Sequence, residues 1–278
     1  MDGRPLILLI DAGNTRIKFG WLCERTGQRE SETLALQPSE LDRLASWLGA
    51  VPGRPLQAIG VSVTSQAVAS AIGAALQQHG IPAIEWLHSS DEIAGVKNLY
   101  AQPEQLGPDR WISLVGLSPR AKGAAVLATF GTATTVDTLG PPPPGTEPTA
   151  AISARRFEGG LILPGPELMR RSLANGTAGL PYAEGGLAAF PRDTHSAIVS
   201  GIAAAQAGAV MRQWRRALDL LGTVPQLYCA GGGWPLVAEE IRHALASCQA
   251  DCGVAISPPE WLHAPVLDGL AVVARARR

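Results

Sequence analysis

Ile10-Asp11-Ala12-Gly13-Asn14-Thr15 stands between the apolar run Leu6-Ile7-Leu8-Leu9 and the alternating segment Arg16-Ile17-Lys18-Phe19-Gly20-Trp21. The apolar run has the length and composition of a buried strand. The segment after the turn has the period of a half-buried one. A carboxylate at the end of a buried strand, followed by Gly and two small polar residues, lets backbone N–H groups and hydroxyls meet phosphate oxygens while the acid holds a divalent cation. The same residues also suit a plain hairpin turn, because Gly and Asn tolerate positive φ.

Working outward, the first half reads βββαβαβα. A third strand spans Glu32 to Leu36, and a helix with Leu41, Leu44, Ala45 and Leu48 on one face follows a cap at Ser39. Leu56 to Val63 and Ile81 to Leu87 read as strands, Ala67 to His79 as a helix ended by Gly80, and Pro108 opens a helix reaching about Leu117. The second half repeats this order. Its strands fall at Ala124 to Phe130, Thr132 to Thr138, Ile152 to Phe157, Gln226 to Cys229 and Val254 to Ile256. Its helices fall at Glu167 to Leu173, Thr194 to Leu221, Val237 to Leu245 and Val266 to Ala276, and Pro141 to Pro144 form a stiff connection outside any ladder. In the long helix, Ile198, Ile202, Ala205, Ala209 and Trp214 approximate one stripe. Two similar halves imply a duplicated α/β architecture, residues 1–118 and 119–278, with an interdomain cleft.

Aligned by halves, Asp11-Ala12-Gly13-Asn14-Thr15 lies 118 residues before Thr129-Phe130-Gly131-Thr132-Ala133. Both are strand-to-strand turns, and two of them can grip a polyphosphate from opposite sides. The chain contains no G-x-x-x-x-G-K-[ST] and no G-x-G-x-x-G, which lowers the standing of GTPase and dehydrogenase readings.

Composition excludes other classes. The formal charge of -1 carries no basic stripe, so nucleic acid is not an expected partner. No apolar stretch reaches the eighteen or so residues that span a bilayer, and the first residues lack a signal-peptide layout, so the expected setting is cytoplasmic, away from membranes. Cys23, Cys229, Cys248 and Cys252 are too few and scattered for a disulfide framework. Cys248 and Cys252 can face each other on a helix, but without a second pair or a His at ligand spacing they do not make a metal site. The five histidines show no ligand pattern.

Six motifs in order carry a family resemblance: Asp11 to Thr15; Tyr100 ahead of Gly107-Pro108-Asp109-Arg110-Trp111; Phe130-Gly131-Thr132-Ala133-Thr134-Thr135-Val136-Asp137; Gly159-Gly160-Leu161-Ile162-Leu163-Pro164-Gly165; Asp193-Thr194; and Ala230-Gly231-Gly232-Gly233. Together, from about residue 5 to 270, they resemble a type III pantothenate kinase. The resemblance implies a duplicated ribonuclease-H-like, actin-like fold, a homodimer, and ATP-dependent phosphorylation of pantothenate, the first step of coenzyme A synthesis. It implies that Asp11, Ala12, Gly13, Asn14, Thr15, Arg16, Ile17 and Lys18 form the first nucleotide-phosphate motif, with Asp11 near magnesium, and that Thr132 is a second ATP contact. It further implies that Tyr100, Gly107, Pro108, Asp109 and Arg110 bind pantothenate, that Thr194 adds a contact from across the dimer, and that Asp109 is the general base. One departure stands out. The family's second phosphate motif begins with an Asp that also binds potassium or ammonium, whereas Thr129 occupies that position, and a neutral hydroxyl cannot supply the charge. Two other readings share these residues: a different small-molecule kinase of the same fold, and a non-catalytic nucleotide-binding regulatory protein.

Overall fold

The structure is a computed structural model that describes residues 4–145 and 154–277. Its contacts divide the chain into two units. One comprises residues up to 120 together with 264–277, and the other comprises 121–145 with 154–263.

In the first unit, β1 (Arg4–Ala12) is the middle strand of five, antiparallel to β2 (Ile17–Cys23) and parallel to β4 (Gly53–Ser62). Both faces of β1 are covered, and Leu6 to Ile10 are all buried, which is why this strand is a continuous apolar run without alternation. β3 (Leu34–Leu36) and β5 (Glu85–Trp86) complete the order β3-β2-β1-β4-β5. Helices α1 (Arg43–Ala50) and α2 (Gln66–Gln78) supply Leu44, Ile72 and Leu76 to a core with Leu8, Ile10, Ile17 and Phe19. Ser65 caps α2, its Oγ accepting from Val68 N at 3.4 Å. Ser39 is not the cap of α1. It lies in a 3-10 turn, Pro38–Glu40, in which Glu40 accepts from Gln37 N, so the α-helix starts later, behind Asp42.

A hairpin of β6 (Glu92–Ile93) and β7 (Val96–Asn98) turns through Ala94 and Gly95, both at positive φ as a two-residue loop with both central residues left-handed requires. It leads to α3 (Pro108–Leu117), whose residues from Arg110 onward are all buried. In the second unit, β8 (Ala125–Phe130), β9 (Ala133–Leu139), β10 (Arg155–Pro164), β11 (Gln226–Ala230) and β12 (Glu260–Trp261) follow the order β10-β9-β8-β11-β12. As in the first unit, the first strand lies antiparallel to the second and parallel to the fourth. The ribonuclease-H-like sheet is therefore present twice.

The helices of the second unit are α4 (Pro166–Gly176), α5 (Thr194–Leu221) and α6 (Ala238–Asp251). Two of its strands differ from the sequence reading. Residues 254–256 form no strand. The buried Gln249 bonds Ser257 through both ends of its amide, and Val254 N donates to Gln249 O, so this backbone is satisfied away from the sheet and β12 begins four residues on. β10 runs through Gly159-Gly160 to Pro164 because β9 pairs it along that length, with a bulge at Gly159, φ 118°, that favours glycine. The strand read at Ile152 to Phe157 begins in residues outside those described. The buried face of α5 is Ile198, Ala203, Gln206, Ala207, Val210, Trp214 and Ala217, whereas Ala205 is exposed and Ala209 only half-buried. Gln206, whose Nε2 donates to Pro164 O at 2.8 Å, is a polar member that an apolar stripe omits.

The closing helix, α7 (Pro265–Ala276), belongs to the first unit. It crosses α3 at two glycines: a Cβ on Gly116 would lie 2.5 Å from Gly269 N, and a Cβ on Gly269 would overlap the Ile112 carbonyl. Asp268 meets Arg29 at 3.3 Å, and Arg275 Nε donates to Gly27 O at 2.6 Å, fixing α7 beside the β2–β3 connection.

Candidate functional site

In the first unit the β1–β2 turn closes with Gly13 N donating to Arg16 O at 3.1 Å. Gly13 is needed for space, not for positive φ: a Cβ there would lie 2.9 Å from Arg16 O, and Asn14 is not left-handed either. Asn14, Thr15 and Arg16 are exposed. Ala12 and Ile17 are fully buried, so only their backbones can serve a ligand. Asp11, one residue before the strand end and opposite Lys18, has a side chain 13% exposed, with Oδ2 3.8 Å from Lys18 Nζ. Burial lifts its carboxyl from 3.8 to about 6; Lys18 draws it down, and the negative charge of Asp109 raises it further. Asp109, in the first turn of α3, is therefore within electrostatic reach of Asp11.

The segment leading to Asp109 is built from side chains. Asn98, 5% exposed, donates from Nδ2 to Pro103 O at 3.2 Å and accepts from Tyr100 N at 3.0 Å, which shapes the loop carrying Tyr100. Ser89 Oγ donates to Leu106 O at 2.7 Å. Gly107 precedes the helix and its carbonyl accepts from Trp111 N, while Pro108 occupies the first helical position, where its missing N–H costs nothing. A Cβ on Gly107 would lie 2.8 Å from Asp109 Oδ1, so the glycine leaves that carboxylate room. Asp109 Oδ1 accepts from Arg110 N at 2.9 Å. Arg110 is 6% exposed, donates from Nη1 to Tyr100 Oη at 3.0 Å and lies 5.9 Å from the centre of that ring, so Tyr100 and Arg110 orient one another. Asn98 and Ser89 escape sequence reading, because short polar residues in irregular segments have no period. The carbonyls and N–H groups they bond become visible only once the loop is folded.

In the second unit Gly131-Thr132 forms the tight β8–β9 turn, with Gly131 N donating to Ala133 O. Two other segments close on it. Gly165 N donates to Thr132 O at 2.9 Å, and a Cβ on Gly165 would overlap the Gly131 carbonyl. Gly231, φ 96°, has no room for a Cβ against the Phe130 backbone, and Gly233 N donates to Phe130 O at 2.9 Å. The glycines of three separate motifs thus crowd the carboxyl end of β8, leaving the Thr132 side chain exposed. Thr129, half-buried on β8, has Thr135 and Ala230 as its ladder partners, and neither adds charge.

Thr194 is exposed at the first position of α5. It is not the cap, because Asp193 accepts from both the backbone N and the Oγ of Ser196, at 2.9 and 2.8 Å. The loop before it is held by a cluster that sequence reading missed. Glu167 accepts from Tyr182 Oη at 2.7 Å and Arg171 Nε at 2.7 Å and pairs with Arg170, which also donates to Ala183 O. The available signal was the spacing of Glu167 from Arg170 and Arg171, three and four residues along a helix. Among the described residues, no three His, Cys, Asp or Glu side chains group as a metal site, and no helix is long and apolar enough to cross a membrane.

A conserved Campylobacter jejuni protein assigned to the Baf family superposes with a TM-score of 0.51 at 16% identity, covering 97% of this chain and 98% of that one, a likeness of fold alone. The type III pantothenate kinase of Bordetella petrii is 48% identical over 272 residues, 97% of each chain. That of Bordetella bronchiseptica is 46% identical over 274 residues, again 97% of each. Residues 7–216 match the family described as type III pantothenate kinase, a span holding both turns and the Tyr100 to Arg110 segment. The chain belongs to the type III pantothenate kinase family.

Proposed function

We propose that the chain transfers the γ-phosphoryl group of ATP to the 4′-hydroxyl of pantothenate, with Asp109 as the base. The observation that carries this reading is that two half-buried carboxylates of one unit, Asp11 beside the β1–β2 turn and Asp109 in the first turn of α3, lie close enough for the charge of Asp109 to act on Asp11. Phosphoryl transfer to an alcohol asks for alignment, charge neutralisation and acceptance of one proton. Asp109 accepts the hydroxyl proton through Oδ2, since Oδ1 is engaged with Arg110 N. Arg110, held by Tyr100, clamps the pantothenate carboxylate or the phosphoryl oxygens with its planar fork. The backbone N–H groups of the β1–β2 turn and the hydroxyls of Thr15 and Thr132 orient the phosphates.

Magnesium fits this residue set. An acid whose charge is disfavoured by burial and by a second acid gains from a cation, and magnesium is commonly held by one or two carboxylates plus substrate phosphates. Asp11 would hold it, and when bound it neutralises charge on the transferring phosphate. A monovalent cation in the family's usual form does not fit, because Thr129 and its ladder partners supply no carboxylate. We further propose a cytoplasmic homodimer in which the partner's copy of the α5 start, at the exposed Thr194, completes the pantothenate pocket.

The test is a coupled assay with pantothenate, ATP and magnesium, with and without potassium. Asp109→Asn is expected to lose at least a hundredfold in kcat with nucleotide affinity within about twofold of the parent. Near-normal turnover in that variant would remove Asp109 from the chemistry, and strong potassium activation would restore the cation site at Thr129.

A further inference from the structure

The second unit carries an aromatic shelf that the phosphoryl chemistry does not use. Trp234, three residues beyond Gly231, packs on Phe130 at 5.8 Å between ring centres, and Trp261 stacks on Trp234 at 6.1 Å and 26°. Arg242 reaches over Trp234, its guanidinium carbon 5.2 Å from the ring. Trp261 is 44% exposed, a large aromatic surface left in water at the end of an edge strand. β8, β11 and β12 run parallel, and their carboxyl ends carry Phe130-Gly131-Thr132, Gly231-Gly232-Gly233 and Trp261 in turn. In open α/β sheets the carboxyl ends of parallel strands are where ligands bind. The shelf is also continuous with the phosphate turn, since Phe130 immediately precedes Gly131 and accepts from Gly233 N.

We propose that Trp261, backed by Trp234 and Arg242, is the surface on which the nucleobase of the phosphate donor stacks. This rests on reading Gly131-Thr132 as a phosphate turn. An indole reads the π face of a base and not its hydrogen-bonding edge, so the shelf supplies affinity for a nucleoside over a bare polyphosphate with weak choice among purines. Arg242, over the Trp234 ring, holds that ring in place beneath Trp261 by a cation–π contact.

The experiment compares a non-hydrolysable ATP analogue with inorganic tripolyphosphate, each titrated calorimetrically with magnesium. Trp261→Leu is expected to weaken the analogue about tenfold while tripolyphosphate affinity stays within about twofold, and Trp261→Phe to restore most of the loss. In steady state KM for ATP rises, while kcat and KM for pantothenate hold. Equal losses for both ligands, or no loss for either, overturn the shelf. Thr132→Ala separates the two readings: it should weaken both ligands, and if it changes neither, the phosphate turn is wrong whatever Trp261 does. Photolabelling of the unmodified protein with an azido-adenine nucleotide adds a readout independent of the variants' folding. Label on the peptides around Trp234 or Trp261 supports the proposal, and label elsewhere overturns it.

Discussion

Asp11 shows a functional group working against the fold that carries it. The unfolded chain gives up this proton near 3.8, whereas the native state keeps it to about 6. Between those values the native state binds the extra proton, so stability falls as pH rises through the window and stays lowered above it. The cost is at most about 3 kcal/mol. Asp11→Asn is therefore expected to raise the melting temperature of the ligand-free protein at pH 7.5 by several degrees, with the gain gone below about pH 4, while activity drops at least a hundredfold. Differential scanning fluorimetry across pH, beside the coupled assay, checks both, and a variant no more stable than the parent at pH 7.5 refutes the electrostatic account. Asp11 was legible because an acid ends an apolar run before a glycine. Asp109 was not legible from local pattern, since a carboxylate in a helix's first turn is ordinary; only its order among the other motifs marked it. Asn98 and Gln206 were invisible because their roles depend on carbonyls that folding brings to them.

Among elements, α3 and α7 can approach as they do only because neither Gly116 nor Gly269 has a side chain at the crossing. Gly269→Ala must push the helices apart and is expected to destabilise the protein by about 1–3 kcal/mol, with KM for pantothenate rising as α3 carries Asp109 and Arg110 outward. A variant that melts like the parent in urea contradicts the tight crossing. A second element-level device is the start of α4. Burial alone would raise the Glu167 carboxyl, but hydrogen bonds from Tyr182, Arg170 and Arg171 outweigh it and hold the group down to about 2. The stabilisation is full above the ordinary value of 4.5 and is lost as pH falls from there toward 2. The carboxylate is about a third exposed, so solvent screening limits the effect to about 1 kcal/mol or less. Glu167→Gln is expected to loosen the 177–193 loop, read as faster amide hydrogen exchange there at pH 7, with parent and variant converging near pH 2. The hydrophobic period located most strands and helices. It failed at residues 254–256, where a buried glutamine takes the backbone's hydrogen bonds, and in β10, where pairing with β9 overrides a double glycine.

At the scale of the whole molecule, the duplicated sheet order was legible because each half repeats the same succession of strands and helices. The assignment of α7 was not, since a final amphipathic helix looks alike whichever sheet receives it. A chain ending at His263 removes the helix that packs on α3 and anchors Arg29 through Asp268. It is expected to lose the protection of the first unit in amide exchange while the second unit, whose described residues all remain, stays protected; equal protection of both would deny α7 its role.

The discontinuity of the first unit also has a consequence for synthesis. Translation is vectorial, so the lobe bearing Asp11 and Asp109 emerges from the ribosome early yet waits, without its closing helix, until all of the intervening lobe has been made. The nascent chain must therefore hold an incomplete apolar surface next to a growing neighbour, which makes that interval the point at which a chaperone has something to grip.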